Sequence, residues 1–163
     1  WSDETWVLNY QGDEPNVPVE NVEQVIDVVK NNPAASIGTL FQVIDNVADL
    51  FNPNVVKLVT DDAQRAMYFS RAPIPWSQKT FTATKTLPEG IEYKHHIGLY
   101  MYKVRFLQSF AAEAPASLEL TESLEQLRAL QSGEIIVAAK AVKPMPHGID
   151  TPEDVQKFEE SLS

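Results

Sequence analysis

Hydrophobic residues recur along the chain in two patterns, one typical of strands and the other of amphipathic helices. Continuous or alternating apolar runs predict strands at residues 7–10, 36–44, 55–60, 65–70, 93–102 and 134–142. Apolar spacings of three and four, with breakers between them, predict helices at residues 18–32, 46–51, 104–112 and 118–130, and a closing helix after residue 150. The polar residues 77–90 lack periodicity and predict a surface loop. This order predicts one α/β domain, an αβα sandwich with a mixed sheet and an antiparallel hairpin.

In two predicted elements, the strand at 93–102 and the helix at 118–130, the sequence pattern assigns residues to different sides. In the strand at 93–102, one side is predicted to carry His96, Gly98, Tyr100 and Tyr102, and the other His95, Ile97, Leu99 and Met101. His95 is expected to be exposed. In the helix at 118–130, Ser117 is the predicted cap, Gly133 the predicted stop, and the inward residues are Leu120, Leu124, Leu127 and Leu130.

The first predicted strand ends abruptly at a polar loop. Residues 7–10 predict a buried strand, and the glycine and proline of the segment at 11–15 prevent its continuation. In open α/β sheets, ligands bind beyond the carboxyl ends of strands, so Asp13 is predicted at the rim, where a carboxylate can hold Mg²⁺ against a nucleotide phosphate. A simple turn at Gly12 and Asp13 accounts for these residues equally well.

Composition narrows the classes of function. A length of 163 residues with 44% hydrophobic residues suits one domain, and a formal charge of −10 argues against nucleic-acid binding, which needs clustered Lys and Arg. Any bound phosphate must be screened, as by a divalent cation held by carboxylates. The absence of cysteine excludes disulfides and thiolate metal sites. No apolar run approaches the ~20 residues of a membrane span, and no signal-peptide pattern is present, so a cytoplasmic protein is expected.

Six short segments, in order, carry a resemblance to a known family. They are QGDEP at 11–15, NPNVVK at 52–57, FSRAPIPW at 69–76, HIGLY at 96–100, ESLEQLR at 122–128 and GIDTPED at 148–154. Together they resemble the 3-deoxy-manno-octulosonate (KDO) cytidylyltransferases. The sialic-acid branch of the same superfamily matches two of these segments, FSRAPIPW at 69–76 and ESLEQLR at 122–128, less well.

The resemblance implies a fold, a reaction and a set of site residues. It implies a nucleotidyltransferase-type domain with a dimerising antiparallel excursion, acting as a cytoplasmic homodimer that converts CTP and KDO, with Mg²⁺, to CMP-KDO and pyrophosphate for lipopolysaccharide synthesis. Asp13 and Asp150 are implied as catalytic, metal-binding carboxylates. The implied sugar-acid pocket consists of Gln11, Arg71, His96, Tyr100, Glu125 and Gln126. An arginine fork suits a sugar carboxylate, and the other polar groups can hold several hydroxyls.

Departures from the family pattern define what stays open. Gln78 and His95 stand where basic residues are common, which leaves the sugar open between KDO and an amino variant. The basic triphosphate-binding loop that begins members of the family is absent from these residues. We therefore expect the chain to be the carboxyl-terminal part of a larger domain, with an exposed sheet edge and no turnover in isolation. A non-catalytic remnant, kept for dimerisation or sugar binding, is the alternative interpretation.

Overall fold

The computed structural model describes residues 1–10 and 17–145. Its strands are β1 Trp6–Asn9, β2 Ile37–Val43, β3 Lys57–Thr60, β4 Ala66–Ser70, β5 Lys94–Lys103 and β6 Ile136–Lys140. Its helices are α1 Val19–Asn31, α2 Val47–Phe51, α3 Gln78–Ala83, α4 Val104–Ala112, α5 Ser117–Glu122 and α6 Gln126–Gln131. Within this part of the chain, no helix is both long and apolar enough to span a bilayer.

One mixed sheet forms the centre of the fold. The strand order is β4-β3-β5-β2-β6, and β1 pairs with β5. The β2–β6 pair is parallel, whereas the other pairs are antiparallel. Helix α1 covers one face through Val25 and Val29, and α4 and α6 cover the other through Phe106 and Leu127. The predicted αβα sandwich with a mixed sheet is therefore confirmed.

The long strand β5 separates two parts of the core. Tyr100 and Tyr102 belong to the cluster under α4 and α6, while Leu99 and Met101 belong to the cluster under α1. This division follows the predicted alternation of side chains. The predicted hairpin is confirmed as the antiparallel pair β3–β4, and its turn contacts the sheet again where the Ala138 N–H donates to the Gln64 carbonyl at 2.9 Å.

Gly38 on β2 lies directly under α1, and its lack of a side chain is required there. A Cβ at this position would overlap the Val29 Cγ1 atom, and Val29 is itself buried in the core. We expect Gly38→Ala to lower the free energy of unfolding by about 2 kcal/mol, because overpacking a closed core forces side chains from their preferred rotamers.

Urea unfolding of a double-mutant cycle tests this steric explanation. In the Gly38→Ala background, Val29→Ala should cost less than it does in the wild type, since the shorter side chain makes room for the new methyl group. Additive losses would show that the close approach of α1 to β2 is not the cause.

The prediction of one continuous helix at 118–130 is wrong. The structure has two short helices, α5 and α6, separated by Ser123 in the left-handed conformation with φ 52°. Leu120, predicted inward, is 68% exposed as a result. Ser117 is not the cap, because α5 starts at Ser117 itself and the Glu119 carboxylate accepts the Ala116 N–H at 3.0 Å. Gly133 does end the helical region, with φ 86°.

Two further expectations need correction. The predicted loop at 77–90 contains helix α3, which forms because Phe81 packs against the rings of Phe51 and Trp76 at 5.2 and 5.0 Å. The first strand exists as β1 but is only half-buried, with Leu8 38% exposed, since β1 pairs only with β5 among the described strands. His95, expected to be exposed, is half-buried, and its Nδ1 lies 3.1 Å from the Gln42 amide.

Candidate functional site

A cavity of about 640 Å³ lies where β5, the turn between α2 and β3, and the junction of α5 and α6 meet. Its wall includes Arg71, His96, Tyr100, Glu125 and Gln126. The fold thus brings together the predicted sugar-acid residues that lie in the described part of the chain. Their roles in binding remain predictions.

His96 lines the cavity as a neutral ring. Its Nε2 lies 3.0 Å from the Thr39 hydroxyl, whose oxygen also lies 3.0 and 2.9 Å from the carbonyls of Ile97 and Leu99. The tautomer with its proton on Nε2 lets Thr39 accept from the ring while it donates to a carbonyl, and in that tautomer Nδ1 is the acceptor. Burial, with a smaller contribution from His95, lowers the pKa of His96 to about 3. At neutral pH the ring can accept a hydrogen bond from a ligand hydroxyl.

Tyr100 is held between two other rings on the same strand. Its ring centroid is 5.2 Å from that of His96 and 5.2 Å from that of Tyr102, and its side chain is 3% exposed. Burial, followed by the influence of Tyr102 and Glu125, raises the pKa of Tyr100 well above its usual value. The phenol stays protonated at physiological pH and can donate its O–H.

Arg71, just after β4, joins two walls of the cavity. Its Nε donates to the Glu122 carbonyl at 2.7 Å, its Nη2 to the Ser123 carbonyl at 3.2 Å and its Nη1 to the Pro53 carbonyl at 2.9 Å. A guanidinium has five N–H groups, two on each terminal nitrogen, so one N–H remains on each of Nη1 and Nη2. These two can bond both oxygens of a carboxylate.

The positive charge of Arg71 is not cancelled by a described ion pair. Its guanidinium meets backbone carbonyls, whereas the Glu122 carboxylate accepts the Ser70 hydroxyl at 2.7 Å and the Arg71 backbone N–H at 3.0 Å. Glu119, also on the wall, is held bidentately by Arg128 at 2.6 Å for each bond. The cavity therefore retains a cation suited to an anionic ligand.

Glu125 and Gln126 line the cavity where α6 begins. Glu125 is exposed, whereas Gln126 is only 5% exposed and its amide makes no hydrogen bond to another described residue. Both residues also border a second cavity of about 190 Å³, whose wall includes the aromatic rings of Tyr102 and Phe106. An amide in this position can both donate to and accept from ligand hydroxyls.

Sequence reasoning gave no role to Lys57 and Glu122, which support this wall. Lys57 is 0% exposed, and its Nζ donates to the carbonyls of Asn52 and Val55 at 2.8 and 2.5 Å. Burial, and then the nearby Arg71, lower the pKa of Lys57 to about 8 against the opposing influence of Glu122. A lysine inside the apolar run at 55–60 was the available signal, since a charge is seldom placed on a buried strand without a partner.

Three predicted site residues, Gln11, Asp13 and Asp150, lie outside the described residues. Within residues 1–10 and 17–145, no group of three or more His, Cys, Asp or Glu side chains is placed to hold a metal ion. The Mg²⁺ site thus remains a prediction. Of the two departures from the family pattern, His95 lines the cavity, while Gln78 lies at the start of α3 and borders a different surface depression.

Comparisons with known proteins agree on one family. Residues 1–136 match the family model described as cytidylyltransferase. The chain is 46% identical over 157 residues to the 3-deoxy-manno-octulosonate cytidylyltransferase of Pseudomonas syringae pv. syringae strain B728a, covering 96% of the chain and 62% of the relative. It is 47% identical over 164 residues to the enzyme of the same name from Stenotrophomonas maltophilia strain K279a, covering 99% and 63%.

A solved structure has the same fold. The structure of CMP:2-keto-3-deoxy-manno-octonic acid synthetase complexed with CTP matches with a TM-score of 0.85 and 32% sequence identity, over 96% of this chain and 61% of that one. The chain spans about three-fifths of the length of these relatives. Because the family model matches most of the chain, the chain belongs to the cytidylyltransferase family.

Proposed function

We propose that these residues form the sugar-acid-binding part of an enzyme that transfers CMP from CTP to KDO, releasing pyrophosphate, for lipopolysaccharide synthesis. Membership of the cytidylyltransferase family and the names of the relatives support the nucleotide and the sugar. The proposal includes the larger domain of which residues 1–163 would be the carboxyl-terminal part, since the relatives extend beyond the matched length. It also includes a cytoplasmic homodimer, which rests on the resemblance alone.

The observation that carries the proposal is the arrangement of Arg71 in a polar cavity. Two N–H groups of Arg71 remain available beside a neutral His96 acceptor, a protonated Tyr100 and the amide of Gln126. A carboxylate with several hydroxyls on one carbon chain matches this combination of one cation and several neutral donors and acceptors. A site built on such hydrogen bonds rejects analogues that lack the hydroxyls.

The chemistry needs positioning more than a protein nucleophile. The anomeric hydroxyl of the sugar acid attacks the α-phosphorus of CTP in line and a new P–O bond forms. Pyrophosphate leaves with the electron pair of the broken P–O bond, and the hydroxyl proton passes to solvent. Arg71 would hold the carboxylate, while His96, Tyr100 and Gln126 would fix the hydroxyls so that the attacking oxygen points in one direction. Holding the two reactants in this geometry can supply much of the rate acceleration.

The test is a coupled assay on the product of the complete gene. With CTP and KDO, pyrophosphate and CMP-KDO should appear in equal amounts. Replacing KDO with sialic acid, or CTP with ATP, should give far lower rates. An amino-substituted analogue of KDO in the same panel decides which sugar acid is preferred, given His95 in the cavity wall. Absence of nucleotide transfer to any sugar acid would refute the proposal and favour a binding protein.

Asp13 and Asp150 are proposed to hold the Mg²⁺, which when bound would neutralise charge on the triphosphate. We expect Asp13→Asn and Asp150→Asn each to weaken Mg²⁺ binding about tenfold or more in the presence of a non-hydrolysable CTP analogue, because each removes one anionic oxygen ligand. Titration calorimetry measures the change, and Asp45→Asn, a substitution of an exposed aspartate, is the control. Unchanged affinity in both variants would remove this assignment.

A further inference from the structure

The turn at residues 52–55 is held in place by two cations, Lys57 on β3 and Arg71 just after β4. Lys57 Nζ donates to the carbonyls of Asn52 and Val55 at 2.8 and 2.5 Å, and Arg71 Nη1 donates to the carbonyl of Pro53 at 2.9 Å. Asn54, on this turn, and Val56, just after it, line the large cavity. The position of this wall therefore depends on bonds made from behind it.

Lys57 is an unusual residue to find at this point. Its side chain is 0% exposed, and it forms no ion pair with a described carboxylate, although burying an ammonium group is costly. Burial lowers the pKa of Lys57, its neighbour Arg71 adds a second positive charge that lowers this pKa further, and the Glu122 carboxylate acts on Lys57 in the opposite direction. Two cations on one wall, each bonded to carbonyls, repel each other, and an anion bound in front of them would reduce that repulsion.

We propose that Lys57 is a positioning residue for the anionic substrate: it fixes the turn at 52–55 against Arg71 and places a buried positive charge behind the wall that receives the sugar carboxylate. This inference rests on the proposed function. Lys57 does not touch the cavity, so it acts through the turn and through Arg71. It should affect binding of the sugar acid far more than binding of CTP.

The variant Lys57→Met removes the charge and keeps the length of the side chain. In the product of the complete gene, we expect the KM for KDO to rise about tenfold, while kcat and the KM for CTP change less than twofold. The matched control is Lys103→Met, which removes another buried lysine bonded to a carbonyl, that of Pro33, and to Glu4. The KM of Lys103→Met for KDO should equal that of the wild type, even though the stability of this variant falls.

A pH profile separates the electrostatic role from a purely structural one. The groups that face Lys57 are Arg71 beyond β4, Glu122 on α5, and Ser70 and His95 opposite it in the sheet. Lys57 is charged below its pKa of about 8 and loses its proton above it. In the wild type, the KM for KDO should therefore rise from pH 7 to pH 9, and this rise should vanish in Lys57→Met.

A second variant keeps the inference testable if Lys57→Met does not fold. Asn52→Ala removes the side-chain oxygen that accepts the Asn54 N–H at 2.9 Å and loosens the same turn without removing the charge. It should raise the KM for KDO severalfold and keep the rise with pH. A KM for KDO that stays constant from pH 7 to pH 9 in the wild type, or that is unchanged in Lys57→Met, would overturn the inference. Failure of the wild type to use KDO would instead overturn the proposed function.

Discussion

Replacing Arg71 with lysine should weaken KDO binding about 100-fold and lower the free energy of unfolding by about 2–4 kcal/mol. The arginine bonds three carbonyls through three different nitrogens, and these carbonyls belong to Pro53, Glu122 and Ser123. A lysine has one nitrogen and cannot reach both walls. Loss of the fork also removes the paired N–H groups that suit a carboxylate.

Calorimetric titration with KDO and urea unfolding measure the two effects of Arg71→Lys. Arg105→Lys is the control, because Arg105 is 46% exposed and makes a single side-chain ion pair, with Glu4. Surface substitutions of this kind usually change stability by less than about 0.5 kcal/mol. An Arg71→Lys protein with wild-type KDO affinity and stability would show that the three carbonyl contacts are not required and would remove Arg71 from the proposed site.

The sequence predicted the strand that carries His96 and Tyr100 because its alternation is local. His96 and Tyr100 fall on the same side of β5 by the period of two, and their rings lie 5.2 Å apart in the structure. The helix α4 was predicted with its observed bounds at residues 104–112, where apolar spacing and neighbouring segments agree. In both cases the residues that decide the structure are close together in the chain.

The junction of α5 and α6 was not predictable in the same way. Nothing within residues 117–131 requires a break, and the apolar spacing favours one helix. The left-handed residue Ser123 occurs where Arg71, 52 residues earlier, bonds the carbonyls of Glu122 and Ser123. A tertiary contact thus stabilises an end that local propensity does not favour.

The same argument explains why Lys57 and Glu122 were missed as site residues. From residue type alone, a lysine on a strand or a glutamate on a helix is expected to be exposed to solvent. Their observed positions depend on carbonyls of the turn at 52–55 and on the Ser70 hydroxyl, which only the folded chain brings near them. Family resemblance identified the cavity residues, and the structure adds the groups that hold them.

Acidification should destabilise the protein through His96 by about 3–5 kcal/mol between pH 6.5 and pH 3. The unfolded chain binds a proton at this histidine near pH 6.5, whereas the folded ring, buried between Phe69 and Tyr100, binds one only near its pKa of about 3. Between these values the unfolded state holds more protons. The contribution of His96 to the free energy of unfolding is therefore fully present above pH 6.5 and is lost as the pH decreases through this window.

Urea unfolding of the wild type and of His96→Gln, from pH 7 to pH 3.5, isolates this contribution. Glutamine can still donate to the Thr39 hydroxyl but does not titrate, so the variant should be less stable at pH 7 and lose less stability on acidification. Carboxylates titrate in both proteins and largely cancel in the difference between the two curves. Parallel curves would mean that folding does not change the pKa of His96, so that the folded ring would be protonated below about pH 6.5. A protonated ring donates from both nitrogens and could not accept a hydrogen bond from a sugar hydroxyl.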